Sequence, residues 1–197
     1  MAKGGIDRKD FEAMRQELER FDGLREQVIG KSRQILKLSK AAIYAMHRDE
    51  LKDAESKLAA AKKLIAELEF MIKKDPELDS VGAYSEALQE RVEALCYFGF
   101  LSERKLITRK QAGCDAITYL EGVCDLVGEL TRKAVNSAID GEGAVALEIR
   151  DFVKEVYDEL MLFDFRNIPV RKKFDSIKYS LERLENLALQ LKSPCRA

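Results

Sequence analysis

Histidine is almost missing from this 197-residue chain and tryptophan is wholly missing: His47 stands alone. One imidazole rules out an HExxH zinc protease, a three-histidine zinc site and a two-histidine non-haem iron site. A Ser–His–Asp triad could draw only on His47. Cysteine is scarce, and the four, at positions 96, 114, 124 and 195, form no CxxC pair. Cys96 and Cys124 lie inside apolar periodic segments and read as buried, reduced thiols of a cytosolic protein. No apolar run approaches the roughly 18 residues needed to span a bilayer. The opening Met1-Ala-Lys-Gly-Gly lacks the apolar core of a secretion signal. The expectation is a soluble, cytoplasmic protein with no membrane partner. An excess of one charge is missing too. Lysine plus arginine is 34 and aspartate plus glutamate is 35, a net charge of −1. A general duplex-DNA coat protein would be strongly basic, so that class is excluded while local basic patches stay open.

Proline is rare as well: Pro76, Pro169 and Pro194 are the full set. Long proline-free stretches permit long helices, and leucine, alanine, lysine and glutamate favour them. The apolar period agrees. Phe11, Met14, Leu18 and Phe21 step by three and four, as do Leu58, Ala61, Ile65 and Leu68. Ile117, Leu120, Cys124 and Val127 repeat the pattern, and so do Phe174, Ile177, Leu181 and Leu184. No period-two strand stands out. Helices are predicted near 7–20, 22–48, 51–73, 79–102, 115–139, 143–164 and 169–191. Asp75-Pro76 ends the third, and Asp140-Gly141 is a C-terminal stop. Thr108 with Gln111 is a capping-box pattern that opens a short extra helix. The segment from Ala94 to Leu101 is apolar nearly all round, so its helix should be central. The fold class is therefore all-α, a single-domain bundle of about seven helices over 1–197, with loose ends at 1–6 and 193–197.

Two carboxylate pairs interrupt the apolar pattern. Glu90 and Glu93 are three apart, about 60° around a helix, and Asp125 and Glu129 are four apart, about 40° around another. Thr118, Arg132 and Asn136 share the stripe of the second pair, and Gly122 and Gly128 would admit a close neighbour. Four carboxylates pointing into one cavity repel unless cations neutralise them. Hard oxygen ligands without histidine select Mg²⁺ or Mn²⁺ over zinc. Such ions suit phosphodiester hydrolysis, because they acidify an attacking water and stabilise the leaving oxygen. A di-iron bundle site would need Glu-x-x-His twice, and neither pair has the histidine. Spacing alone also fits a plainer reading, a solvated acidic face.

Several segments together resemble the translin superfamily, on its catalytic, Trax-like branch. Leu88-Gln-Glu-Arg-Val-Glu-Ala94 looks like that branch's LQE-x-VEA segment. Gly122-Val-Cys-Asp-Leu-Val-Gly-Glu-Leu-Thr-Arg132 is similar to its G-V-x-D-L-x-G-E-L-x-R. Val135-Asn136-Ser137 with Asp140-Gly141 fits the family's N-S turn region, and the run from Arg171 to Tyr179 fits R-K-[KR]-[FY]-D-x-x-K-Y. Lys31-Ser-Arg-Gln-Ile35, Ser39-Lys40 and His47-Arg48 fit the first long helices, so the resemblance spans about 21–192. It implies a translin-like fold of seven helices. It also implies a Mg²⁺-dependent endoribonuclease acting on single-stranded RNA inside a hollow, usually octameric shell; Trax proteins in eukaryotes work beside translin subunits, and this chain, carrying the acids and resembling the family throughout, is expected to form a homo-oligomer. The catalytic, metal-coordinating residues of that branch fall on Glu90, Glu93, Asp125 and Glu129. Translin itself lacks most of these acids and is a binding scaffold. The alternative is therefore a non-catalytic, translin-like protein that binds single-stranded RNA or DNA. One departure stands out: translin's basic, histidine-rich segment is replaced here by the acidic Asp75-Pro-Glu-Leu-Asp-Ser-Val-Gly-Ala83.

An RNA path needs cations for phosphates. Three basic clusters are candidates: Lys31, Arg33, Lys37, Lys40 and Arg48; Arg104, Lys105, Arg109 and Lys110; and Arg171, Lys172, Lys173 and Lys178. The expected RNA contacts are Arg33, Lys40, Arg48, Arg132 and Lys173, with duplex ends or single-stranded DNA as further ligands. For each cluster a solvated or inter-subunit face is the plainer reading. Arg132 either steers a phosphate or pairs with a carboxylate, and His47 reads as a satisfied structural histidine.

Overall fold

The fold is given by a computed structural model that describes residues 5–166 and 168–192. Among the described residues there are helices and no strand, as the apolar period predicts. In chain order they are α1 (Arg8–His47), α2 (Leu51–Lys74), a 3-10 turn (Pro76–Ser80), α3 (Gly82–Glu103), the single-turn α4 (Arg109–Ala112), α5 (Ala116–Ile139), α6 (Gly143–Leu160) and α7 (Pro169–Lys192). The loose ends expected at 1–6 and 193–197 fall, apart from Gly5 and Ile6, outside the described residues, and so does Cys195.

The punctuation behaves as its chemistry requires. Asp7 caps α1 by accepting from the Lys9 and Asp10 N–H groups at 2.9 and 3.4 Å. Thr108 and Gln111 form a reciprocal capping box: Gln111 Oε1 accepts from the Thr108 N–H at 2.8 Å, and Thr108 Oγ1 from the Gln111 N–H at 3.3 Å. Asp115 caps α5 by accepting from the Ile117 and Thr118 N–H groups at 2.8 and 3.0 Å. Gly141, at φ +84°, takes the left-handed conformation that closes α5.

Two boundaries differ from expectation. The helices predicted at 7–20 and 22–48 are one rod, α1, about 60 Å long at 1.5 Å per residue. Phe21, Leu24 and Val28 carry the apolar stripe through Asp22-Gly23, and one interior glycine costs only about 1 kcal/mol. The helix predicted to reach 164 stops at Leu160. Beyond it the chain turns so that Phe165, 3% exposed, enters the core against Phe174, and Pro169 opens α7.

Packing follows the apolar faces. α1 lies against α2 and α3; α3 lies against α5; and α5 carries α6 and α7. α3 is thus central, as its apolar segment requires, with Tyr97 and Phe100 fully buried. Arg91 is buried too, and it donates to the Ala112 carbonyl at 2.8 Å, tying α4 to α3. A second cluster joins Val28 and Ile35 of α1 to Ile65 and Leu68 of α2 and to Leu78 and Tyr84. Cys96 and Cys124 are buried and unpaired; Cys114 is half-buried and also free.

The α3–α5 contact depends on Gly122, where an added Cβ would sit 2.7 Å from the Val92 side chain and 2.9 Å from the Gln89 carbonyl oxygen. Gly122→Ala should therefore lower stability by about 1–3 kcal/mol, despite alanine's better helix propensity. In a chain of this length that is a fall of roughly 2–10 °C in thermal midpoint, read by circular dichroism. Gly128 faces open space, so the second of the two close approaches expected on α5 is not made within this chain.

Candidate metal centre

Close contact at Gly122 brings the inner faces of α3 and α5 together. Glu90 and Glu93 come from α3, Asp125 and Glu129 from α5, and all four line a single cavity of about 380 Å³. Lys40, Ile43 and Tyr44 of α1 complete the lining. The two pairs face one another rather than separate solvent.

The side chains carry the electrostatic marks of crowding. Glu93 is 8% exposed. Its carboxyl is pushed up to about 8, first by burial and then by Glu90, Asp125 and Glu129. Burial also raises Glu90, against the opposing pull of Lys40, whose Nζ stands 3.9 Å from Glu90 Oε2. Glu129 behaves oppositely: the hydrogen bond from His47 holds it below the ordinary carboxylate value.

The remaining charge is met by two cations and one imidazole. Lys173 of α7 pairs with Asp125, which also accepts from Gln89 Nε2 at 3.2 Å. His47 Nε2 bonds Glu129, and its Nδ1 lies 3.3 Å from the hydroxyl of fully buried Tyr97. Arg132 approaches Glu129 at 4.0 Å. As the side chains lie, no three His, Cys, Asp or Glu groups among the described residues converge tightly enough to hold an ion. The donor set suits a hard divalent cation nonetheless: four carboxylates on one cavity, one of them disfavouring its own charge.

The five basic residues expected on the RNA path separate into two groups. Lys40, Arg132 and Lys173 stand beside the carboxylates. Arg48 pairs with Glu50 at 2.6 Å, and Arg33 lines a different cavity, with Glu86. His47 is the satisfied histidine expected, yet its partner is one of the four acids, which sequence reasoning did not foresee. Lys40, Tyr44 and His47 step by four and three along α1, which puts them on one face without saying which helix that face meets.

Lys173 pairs with Asp125, so a cation held by the four acids would compete with it. Lys173→Met should tighten Mn²⁺ binding about tenfold, because removing a unit charge beside the site relieves more than 1 kcal/mol of repulsion. Calorimetry reads this directly, and unchanged or weaker affinity would show that Lys173 does not occupy the ion's place.

The translin family model matches residues 23–192. Translin-associated protein X of Mus musculus is 27% identical over 223 aligned residues, covering 92% of this chain and 77% of the relative. The structure of apo-NeC3PO superposes with a TM-score of 0.85 at 24% identity, covering 95% of this chain and 99% of that one. AfC3PO in its complex with duplex RNA gives 0.80 at 25% identity, covering 93% and 96%.

Proposed function

The chain belongs to the translin family, and from that premise we propose that it is a divalent-cation-dependent endoribonuclease that cleaves single-stranded RNA within a homo-oligomeric shell. An RNA-related role is supported by its likeness to translin-associated protein X and to AfC3PO solved with duplex RNA. One observation carries the catalytic reading: Glu90, Glu93, Asp125 and Glu129 line a single cavity. Those four would hold Mg²⁺ or Mn²⁺, which when bound supplies Lewis acidity toward a phosphodiester and its attacking water. The protein's own groups do the rest. His47 orients Glu129 through a direct hydrogen bond and is itself set by Tyr97. Arg132, half exposed beside Glu129, is placed to meet a phosphate oxygen. Lys173 balances Asp125 while no cation is bound and is free to contact RNA once displaced.

A second reading has its own support. Asp125 and Glu129 already hold Lys173 and His47, as in a protein that binds single-stranded RNA or DNA without cutting it. Incubating labelled single-stranded RNA with Mg²⁺, Mn²⁺ or EDTA separates the two. The nuclease cleaves with either ion and stops in EDTA. Salt-sensitive retention without turnover in any divalent ion favours the binding protein, and cleavage undiminished in EDTA removes the role of the ion.

A further inference from the structure

A second cavity, of about 450 Å³, lies between α1 and the start of α3. Arg25, Ser32 and Arg33 line it from α1, and Gly82, Ala83 and Glu86 from α3. Ser32 is 1% exposed, and its Oγ has no hydrogen-bond partner. A buried hydroxyl left unpaired is costly, and one that lines a cavity can be satisfied by a polar group entering it. No side chain caps α3: its N-cap is Val81, and the first-turn residues Gly82 and Ala83 line the cavity. A helix start of this kind carries free N–H groups and partial positive charge. Arg33 makes no ion pair among the described residues, and Arg25 makes only a 3.9 Å approach to Glu26. Glu86 is the one carboxylate among the residues that line the cavity, against two arginines.

From this convergence we propose that the cavity binds a phosphate group. The unpaired Ser32 hydroxyl and the α3 amides meet its oxygens, and the two arginines meet its charge. Position gives the site a use. Arg33 and Lys40 are seven residues apart on one face of α1, and Glu86 and Glu93 are seven apart on α3, so the phosphate site and the carboxylate cavity share the α1–α3 seam about 10 Å apart. The bound group is either a backbone diester of an RNA strand or a terminal or free phosphate monoester.

The test uses the full chain in EDTA, so that phosphate binding and nuclease activity fail separately. Inorganic phosphate is compared with chloride at matched ionic strength by thermal shift. Uridine 5′-monophosphate is titrated by calorimetry, and single-stranded oligoribonucleotides with and without a 5′-phosphate by filter binding. Arg33→Met should weaken binding about tenfold. Ser32→Ala should weaken it several-fold while leaving the ligand-free thermal midpoint equal or higher, and Glu86→Gln should strengthen it. Response of the monophosphate and inorganic phosphate assigns a monoester. Response of the oligonucleotide alone, whatever its 5′ end, assigns the backbone. Equal binding by the parent and all three variants, or binding of none of the probes, overturns the site.

Discussion

Asp125→Asn should cut RNA cleavage about a thousandfold while moving the thermal midpoint by no more than about 2 °C. The substitution keeps an oxygen acceptor for Gln89, which donates to Asp125 at 3.2 Å, and it keeps the volume. It does remove the charge that pairs with Lys173. Both side chains of that pair are about a third exposed, so its worth to stability is at most about 1 kcal/mol. Under the proposed function its worth to catalysis is larger. Removing one anionic ligand from a cation that stabilises developing charge forfeits about 4 kcal/mol of barrier lowering, a factor of about 10³. RNA binding in EDTA should stay equal or become tighter, because a negative charge has left the path of a polyanion. Single-turnover cleavage, filter binding and melting measured on the same preparation separate these effects. Cleavage within tenfold of the parent would remove Asp125 from the catalytic set. A parallel loss of RNA binding would make it a structural residue of the RNA path.

The helical architecture was legible because its signals are local. The apolar stripes of α2, α5 and α7, the capping box at Thr108 and Gln111 and the stop at Asp140-Gly141 each depend on residues within one or two turns. The four acids were legible differently. Their spacing on each helix is common to any solvated face, and only resemblance to a family pattern singled them out. That the two pairs share a cavity depends on α3 pressing onto α5 at Gly122. The partners of the acids were not legible. Lys173 reaches Asp125 across 48 residues of sequence and His47 reaches Glu129 across 82, and no period within a helix encodes either meeting. The break expected between 20 and 22 failed for a related reason: local cues do not register that packing against α2 and α3 rewards an unbroken rod. The unpaired hydroxyl of Ser32 is the extreme case, since only the three-dimensional arrangement shows that nothing meets it.

Cation affinity should rise about fiftyfold between pH 6 and pH 8. The cause is Glu93, whose carboxyl is raised to about 8 from an ordinary 4.5 by burial and by its three acidic neighbours. Between those values the folded chain keeps a proton that the unfolded chain has released. The cation-free protein therefore loses stability as pH climbs through that window. An ion reverses the balance. Bound at the proposed site it would take the carboxylate form of Glu93 and release the proton, so affinity should climb about tenfold per pH unit and level off near pH 8. Glu90 is raised in the same direction. Glu129 contributes nothing to the slope, since the His47 hydrogen bond keeps it ionised throughout. Mn²⁺ titrations at pH 6, 7 and 8 measure the slope, and melting curves with and without Mn²⁺ should diverge most at the highest pH. In Glu93→Gln the slope should become shallower, and the cation-free midpoint should no longer fall with pH across this range. A parent slope near zero, or an equal slope in the variant, would place Glu93 beside the ion's site rather than in it.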